Sequence, residues 1–325
     1  MPHPAPRLLV AGLLALVGLG SPLSAGAVTA DESARAITIK PASLERGKDP
    51  GIPQLLGKTI IDGTVRIKIA AQEVQLYGKS GNDYVVGVYL RNGHERVQRV
   101  APDGSRNTIM NRINGDVVLS RDGLQVSETV VRPGAISVVT VRDAYTGDRL
   151  AHRTFHGYIR VLDAEKNRAI LGGSAPNRTL WWRIPTDGIK RIATREGYFA
   201  DIRADRVASF TNAPHAGACS ILTTLSAPRR TLWRSCDQAV VASSPNGRRL
   251  LTQYIRMDGP VSRQSVHGSH GRLFVNFRTK GSFGRSAWGN NRSVLMQTSG
   301  TKKAAIVRCH VNACERASKL INATH

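Results

Sequence analysis

Four stretches of the chain repeat one phrase: "VLSRDGLQVSETV" (118–130), "VLDAEKNRAILGG" (161–173), "ASSPNGRRLLTQY" (242–254) and "SAWGNNRSVLMQT" (286–298). Each sets a polar turn between two apolar runs. The turn recurs at Asn82, Gly123, Asn167, Asp205, Gly247 and Asn291, at spacings of 41, 44, 38, 42 and 44 residues. Text with a period near 40 residues is built from copies of one supersecondary unit. Such a unit cannot bury its apolar surface alone and must stack on its neighbours. This constrains the fold more than any other feature of the chain.

One copy shows the anatomy. The runs "YIRVLDA" (158–164), "RAILGGS" (168–174), "TLWWRIP" (179–185) and "IKRIA" (189–193) are separated by Gly, Pro, Asn and Asp punctuation. That is four short strands per unit. The middle runs are apolar throughout, as in "YVVGVYL", "ISVVTV" and "CSILTTL". A sheet with one wet face alternates, whereas a sheet wedged between two others need not. No segment sustains a 3.6-residue period, so helices are expected to be few. The expected fold is all-β, a β-propeller of four-stranded blades, with repeats at about 72–114, 115–156, 157–196, 197–237, 238–281 and 282–321. Residues 28–57 read as an irregular lead-in and 58–325 as the propeller. "KTIIDGTVRIKIA" (58–70), turning at Asp62-Gly63, is expected to form a reduced seventh blade together with "AITIK" (36–40). Six blades with a closing strand is the alternative.

"SSPNGRRLL" (243–251) resembles the WD40-like repeat of TolB-type propellers, usually S-P-D-G before an apolar strand, with Asn246 in place of the Asp. "VRDAYTGDRLA" (141–151) resembles their third-to-fourth strand hairpin with its D-x-x-T-G turn. The Gly-His and Trp-Asp dipeptides of standard WD40 repeats are absent. The arrangement is also similar to exported propeller proteins of actinobacteria. The resemblance implies a fold, and by analogy an envelope-assembly role like that of TolB.

The N-terminus reads as a secretory signal. Arg7 precedes the apolar stretch "LLVAGLLALVGLG" (8–20), and "SPLSAGA" (21–27) ends in small residues. Cleavage is expected after Ala27, with Ala30 the alternative. The apolar stretch is shorter than the ~20 residues a membrane span needs. The mature chain is therefore expected to be secreted and not membrane-spanning. In an oxidising compartment Cys219, Cys236, Cys309 and Cys314 are expected to pair. Four cysteines allow three connectivities. The hairpin reading selects Cys219–Cys236 and Cys309–Cys314 as cross-strand neighbours, with free buried thiols the rival. Chain entropy gives the longer loop about 3 kcal/mol and the shorter somewhat less.

Lys and Arg number 46 against 23 Asp and Glu, a formal net charge of +23. Such a balance attracts polyanions, although the cations are scattered along the chain, where a solvated surface is the default reading. Three doublets, Arg229-Arg230, Arg248-Arg249 and Lys302-Lys303, fall at turns and are the candidate anion-binding residues. Nothing points to specific nucleic-acid recognition.

Other motifs give way to structural readings. "GIPQLLGKT" (51–59) has one residue too many between its glycines for a phosphate loop. "HGSH" (267–270) occupies a hairpin turn and lacks a neighbouring carboxylate to complete a metal site. Trp181 and Trp182 must point to opposite faces of a strand, one toward each adjacent blade. Many acids, among them Asp103, Asp122, Asp143, Asp187 and Asp258, sit in turns that their side chains stabilise. No cofactor, metal or catalytic residue is assigned. The expected function is an exported, non-enzymatic binding scaffold for a protein or an anionic envelope polymer. The alternative is a hydrolase or lyase acting in a central channel, which requires two converging carboxylates or a His–carboxylate pair.

Overall fold

All six aligned turns join the first and second strands of a sheet. The computed structural model describes residues 35–323, so the expected signal segment and its cleavage at Ala27 lie outside the described residues. Gly123, Asn167, Asp205 and Gly247 adopt positive φ angles of 73°, 60°, 55° and 66°, the left-handed conformation that tight hairpins demand. Gly123 is also constrained from outside. A Cβ there would collide with the backbone of Lys79 and Ser80 in the preceding blade.

The chain opens with β1 (Arg35–Ile39) and a single 3-10 turn at Pro41–Ser43. Blade 1 is a three-stranded sheet of β2 (Gln54–Leu56), β3 (Thr59–Asp62) and β4 (Val65–Lys68). Blade 2 contains β5 (Glu73–Ser80), β6 (Asp83–Tyr89), β7 (Glu95–Val100) and β8 (Arg106–Met110). Blade 3 contains β9 (Asp116–Leu119), β10 (Gln125–Arg132), β11 (Ile136–Asp143) and β12 (Arg149–His156). Blade 4 contains β13 (Tyr158–Glu165), β14 (Arg168–Ser174), β15 (Arg178–Arg183) and β16 (Gly188–Ala193). Blade 5 contains β17 (Glu196–Asp201), β18 (Arg206–Phe210), β19 (Ser220–Thr223) and β20 (Thr231–Ser235), with a second 3-10 turn at Pro214–Ala216. Blade 6 contains β21 (Gln238–Ser243), β22 (Arg249–Tyr254), β23 (Arg263–Gly268) and β24 (Leu273–Thr279). Blade 7 contains β25 (Phe283–Trp288), β26 (Val294–Ser299), β27 (Lys303–Cys309) and β28 (Cys314–Arg316), with β29 (Ile321–Asn322) continuing its outer edge along β27. The seven-bladed propeller expected from the repeat is the fold observed. Among the described residues no helix is long and apolar enough to cross a membrane.

The middle strands are buried on both faces, as their unbroken apolar runs require. In β14 five consecutive residues, Ala169 to Gly173, are buried. The outermost strand β12 is mostly exposed because only one of its faces meets another blade. Apolar clusters fill every interface of the ring. Val139, Val141 and Phe155 of blade 3 meet Leu171 and Trp182 of blade 4, and Ile170 of blade 4 meets Ala200 and Val207 of blade 5. The circle closes on Ile61 of blade 1 against Leu295, Ile306 and Ala317 of blade 7.

One expectation is corrected here. "AITIK" does not join blade 1. Its residues form most of β1, which pairs in parallel with β24 of blade 6, Arg35 opposite Val275 through Ile39 opposite Thr279. The physical reason is local. Blade 7 lies between blade 6 and blade 1 in the ring, so a chain that docks on blade 6 crosses blade 7 to reach blade 1. Ile39 is buried against Phe277, Trp288 and Met296 at that junction. Next the backbone passes blade 7, where the Arg316 amide donates to the Glu45 carbonyl (2.8 Å) and the Gly47 amide donates to the Arg316 carbonyl (2.9 Å). Arg316 Nε also donates to the Leu44 carbonyl at 2.8 Å. An N-terminal strap thus braces the ring across blades 6 and 7.

Candidate functional site

Successive first strands surround a central channel. First–second and third–fourth turns gather at one end of it, called here the turn-bearing end. At that end a cavity of about 580 Å³ is lined by residues of blades 2 to 7 and by Ile52, which precedes blade 1.

Four blades are stitched together at this mouth. Arg121 of blade 3 donates from Nε to both carboxylate oxygens of Asp163 in blade 4, at 2.9 and 2.8 Å. Its Nη2 lies 3.2 Å from Asp201 Oδ2 in blade 5. Asp201 also accepts from the Ala204 amide at 3.0 Å and from the Ser243 hydroxyl of blade 6. Asp163 further accepts from the amides of Ile202 (2.7 Å) and Ala164 (3.1 Å). Beside this network Arg203 donates to Glu165 Oε1 at 2.6 Å and to the Arg121 carbonyl at 3.0 Å. Burial pushes the Asp163 carboxyl up, and Arg121 and the Ile202 amide only partly offset it. Two carboxylates do converge in the channel, but each of their oxygens accepts from at least one structural partner.

The cations at the same mouth are less fully engaged. Arg285 is accessible to solvent yet walled in by the channel, and it donates only to the Tyr77 carbonyl, at 3.1 Å. Desolvation by those walls lowers its guanidinium pKa from the usual value. No acid among the described residues forms an ion pair with it.

The structure separates the three basic doublets. Arg229 and Arg230 occupy the third–fourth turn of blade 5, Arg248 occupies the first–second turn of blade 6, and Arg249 opens β22 beside it. Both doublets therefore stand at the turn-bearing end on adjacent blades. Arg249 lies over the Phe274 ring, 5.5 Å from its centroid. Lys302 and Lys303 lie at the β26–β27 loop, at the opposite end of the ring. There they border a separate cavity of about 460 Å³ with Lys40 and Lys280, floored by Ile39 and Pro41 of the strap.

Both cysteine pairs form disulfides, Cys219–Cys236 and Cys309–Cys314. Each closes a third–fourth strand hairpin. Cys309 and Cys314 are register partners, and Cys219 and Cys236 extend the Ser220–Ser235 pairing by one step. In "HGSH", His267 is buried, stacks on Trp233 at 5.0 Å, and lies 3.1 Å from the Gly271 carbonyl. In "GIPQLLGKT", Gln54–Leu56 and Thr59 onward pair as a hairpin, so its backbone amides belong to a sheet rather than a phosphate loop.

Reading motifs along the chain misses the channel network, because its members lie 42 and 38 residues apart. The repeat alignment holds the signal. Asp163, Asp201 and Ser243 each stand four residues before their aligned turn, and Arg121 and Arg203 each stand two before theirs. Residues at one phase of a closed repeat meet at the axis.

No protein-family model matches the sequence, and no curated protein matches it. Among solved structures the chain is similar to the acylaminoacyl peptidase of Pyrococcus horikoshii, at 8% identity with a TM-score of 0.55, over 80% of this chain and 48% of that one. It is also similar to TolB from Acinetobacter baumannii, at 14% identity with a TM-score of 0.49, over 72% and 63% of the two chains. A third likeness is to the β-propeller domain of the trilobed protease from Pyrococcus furiosus, at 10% identity with a TM-score of 0.48, over 83% and 85%. The chain spans about half the length of the peptidase. At such identities the likeness is one of fold. The closed ring with two disulfides is consistent with an extracytoplasmic location.

Proposed function

We propose that this protein is an exported, non-enzymatic propeller that binds an anionic polymer of the cell envelope at its turn-bearing end. One observation carries the reading: at that end the acids are committed while cations are left over. Asp163, Asp201 and Glu165 serve inter-blade ion pairs and hydrogen bonds. Asp205 is held by Ser226, and Asp122 by Ser120 and the Lys166 amide. Arg229, Arg230, Arg248 and Arg285 form no ion pair among the described residues. A hydrolase in the channel would need an acid and a base free to exchange protons with substrate. Asp163 and Asp201, each held by donors from neighbouring blades, are engaged in structural contacts instead.

The test is titration with polyglutamate, polyphosphate and a neutral dextran at low and physiological salt. Both polyanions are expected to bind and dextran not, with affinity falling steeply as salt rises. Charge reversal at Arg229, Arg230 and Arg248 together is expected to weaken polyanion binding at least about tenfold. Reversal at Lys302 and Lys303, at the far end, is expected to leave it unchanged. Salt-insensitive binding, or no binding, overturns the reading.

A further inference from the structure

Blade 4 carries a feature that a surface built only for solubility does not need. In the β14–β15 ladder Arg168 is directly opposite Arg183, and Ile170 directly opposite Trp181. In the β15–β16 ladder Trp181 is opposite Lys190. Side chains opposite one another, or two apart along a strand, share a face. Arg168, Arg183, Ile170, Trp181 and Lys190 therefore all project from one face of the blade. That face is the one turned to blade 5, because Ile170 and Trp181 pack with Ala200, Val207 and Leu225. Toward the turn-bearing end this apolar row gives way to cations.

Like charges directly opposite on a sheet repel, and no acid among the described residues pairs with these to offset it. The nearest acid along the chain, Asp187, faces the other way, where it takes Arg153 at 2.5 Å and accepts from Trp182 Nε1 at 2.9 Å. Glu165 is held by Arg203. Arg168, Arg183 and Lys190 have no ion pair among the described residues. Together with Trp181 and Ile189 they enclose a cavity of about 320 Å³, near the small end of ligand-pocket sizes. Trp182, its neighbour on the strand, is wholly buried against Phe155 of blade 3. Trp181 is only half-buried, so part of its indole forms the cavity floor.

We infer that this cavity is a binding subsite for an acidic sugar residue, a hexuronate unit of an anionic polysaccharide. The inference rests on the polyanion-binding reading above and narrows it. An indole offers an apolar surface for the C–H face of a pyranose ring. The cross-strand Arg168 and Arg183 guanidinium groups offer paired donors for its carboxylate, with Lys190 as a third charge. Arg168 lies over the Trp181 ring, 5.4 Å from the centroid. It covers part of the ring face, and the C–H face of a sugar needs only a patch of the rest. Leu225, which packs in the same cluster, begins the turn that ends at Arg229 and Arg230. A chain of acidic sugars seated on Trp181 thus continues toward those cations.

The experiment compares four probes by calorimetry at low salt: oligogalacturonate, dextran of the same length, polyphosphate, and oligo-dT. Oligogalacturonate is expected to bind the whole protein. Arg183→Ala and Lys190→Ala, both at exposed positions, are each expected to weaken it at least about fivefold. Trp181→Ala is expected to weaken oligogalacturonate binding about tenfold while leaving polyphosphate binding within about twofold. Trp181→Phe, which keeps an aromatic floor and the packing against blade 5, is expected to retain most of the affinity. If polyphosphate and oligogalacturonate both bind but neither responds to Trp181 or Arg183, the subsite is overturned while the general polyanion reading stands. If oligo-dT binds more tightly than oligogalacturonate and depends on Trp181, the ligand class is overturned in favour of a nucleic acid. If no polyanion binds, both readings fall together.

Discussion

Asp163 is 5% exposed, and its position in the channel mouth is held by one guanidinium and two amides. Asp163→Ala leaves Arg121 without its main partner and the Ile202 amide without an acceptor. Breaking a buried pair costs 3–5 kcal/mol when both ions are fully desolvated. The Arg121 side chain keeps 35% of its exposure, so a loss of about 2–3 kcal/mol is expected in chemical denaturation. A loss below about 0.5 kcal/mol contradicts the stitching role. His267 gives a pH signature. Burial lowers its pKa below 6.5, the Gly271 carbonyl only partly opposing. Between the folded and unfolded values the unfolded chain binds more protons, so this residue makes stability fall as pH drops below about 7. Thermal melts between about pH 7.5 and 5.5 are expected to decline in wild type and to decline less in His267→Gln. Identical slopes contradict the assignment. The carboxylates whose pKa values are lowered, Asp122 and Asp187 among them, act below that window.

At the scale of the element, the unit is a hairpin, and hairpin register is where the chain reads most directly. Turn residues tolerant of positive φ mark each first–second hairpin, and strand text on either side fixes which residues face each other. The same counting brings each cysteine opposite its partner. Both disulfides sit in third–fourth hairpins, where they tie a buried third strand to a more exposed edge strand. Their loops of 17 and 5 residues correspond to about 3 and 2 kcal/mol of denatured-state entropy. Reduction of both is expected to lower the unfolding midpoint, and Cys219→Ser/Cys236→Ser more than Cys309→Ser/Cys314→Ser. Equal midpoints with and without reductant contradict a stapling role. Trp181 and Trp182 show the limit of reading at this scale. Alternation determines that they face apart, but only the neighbouring blade determines that one is sealed and the other half-open.

At the scale of the molecule, the ring is an array of similar interfaces with one exception. The blade 7–blade 1 junction has the fewest clustered apolar residues of any interface, and blade 1 has three strands where the others have at least four. The strap compensates, docking β1 on blade 6 and Leu44 to Gly47 on Arg316. Local stability follows buried contact. Amides of β3 and β4 are therefore expected to exchange with deuterium faster than those of β14 or β27, and Arg316→Ala is expected to accelerate exchange there selectively. Uniform exchange around the ring contradicts this closure. The strap was the part of the fold hardest to read. "AITIK" is strand text without a partner inside its own repeat, and nothing in five residues says which outer edge will accept them.

The sequence by itself determined the unit: four strands, hairpins at a fixed phase, cysteines in facing positions, and a middle strand apolar on both sides. Those are local properties, set by turn chemistry and by a two-residue period that each segment carries in its own text. Only the tertiary structure decided where the strap docks, that Arg121, Asp163, Asp201 and Ser243 meet at one mouth, and that Arg229, Arg230, Arg248 and Arg249 stand at the opposite end from Lys302 and Lys303. Closing a repeat into a ring brings together residues one period apart, and their distance in space depends on the curvature of the whole array.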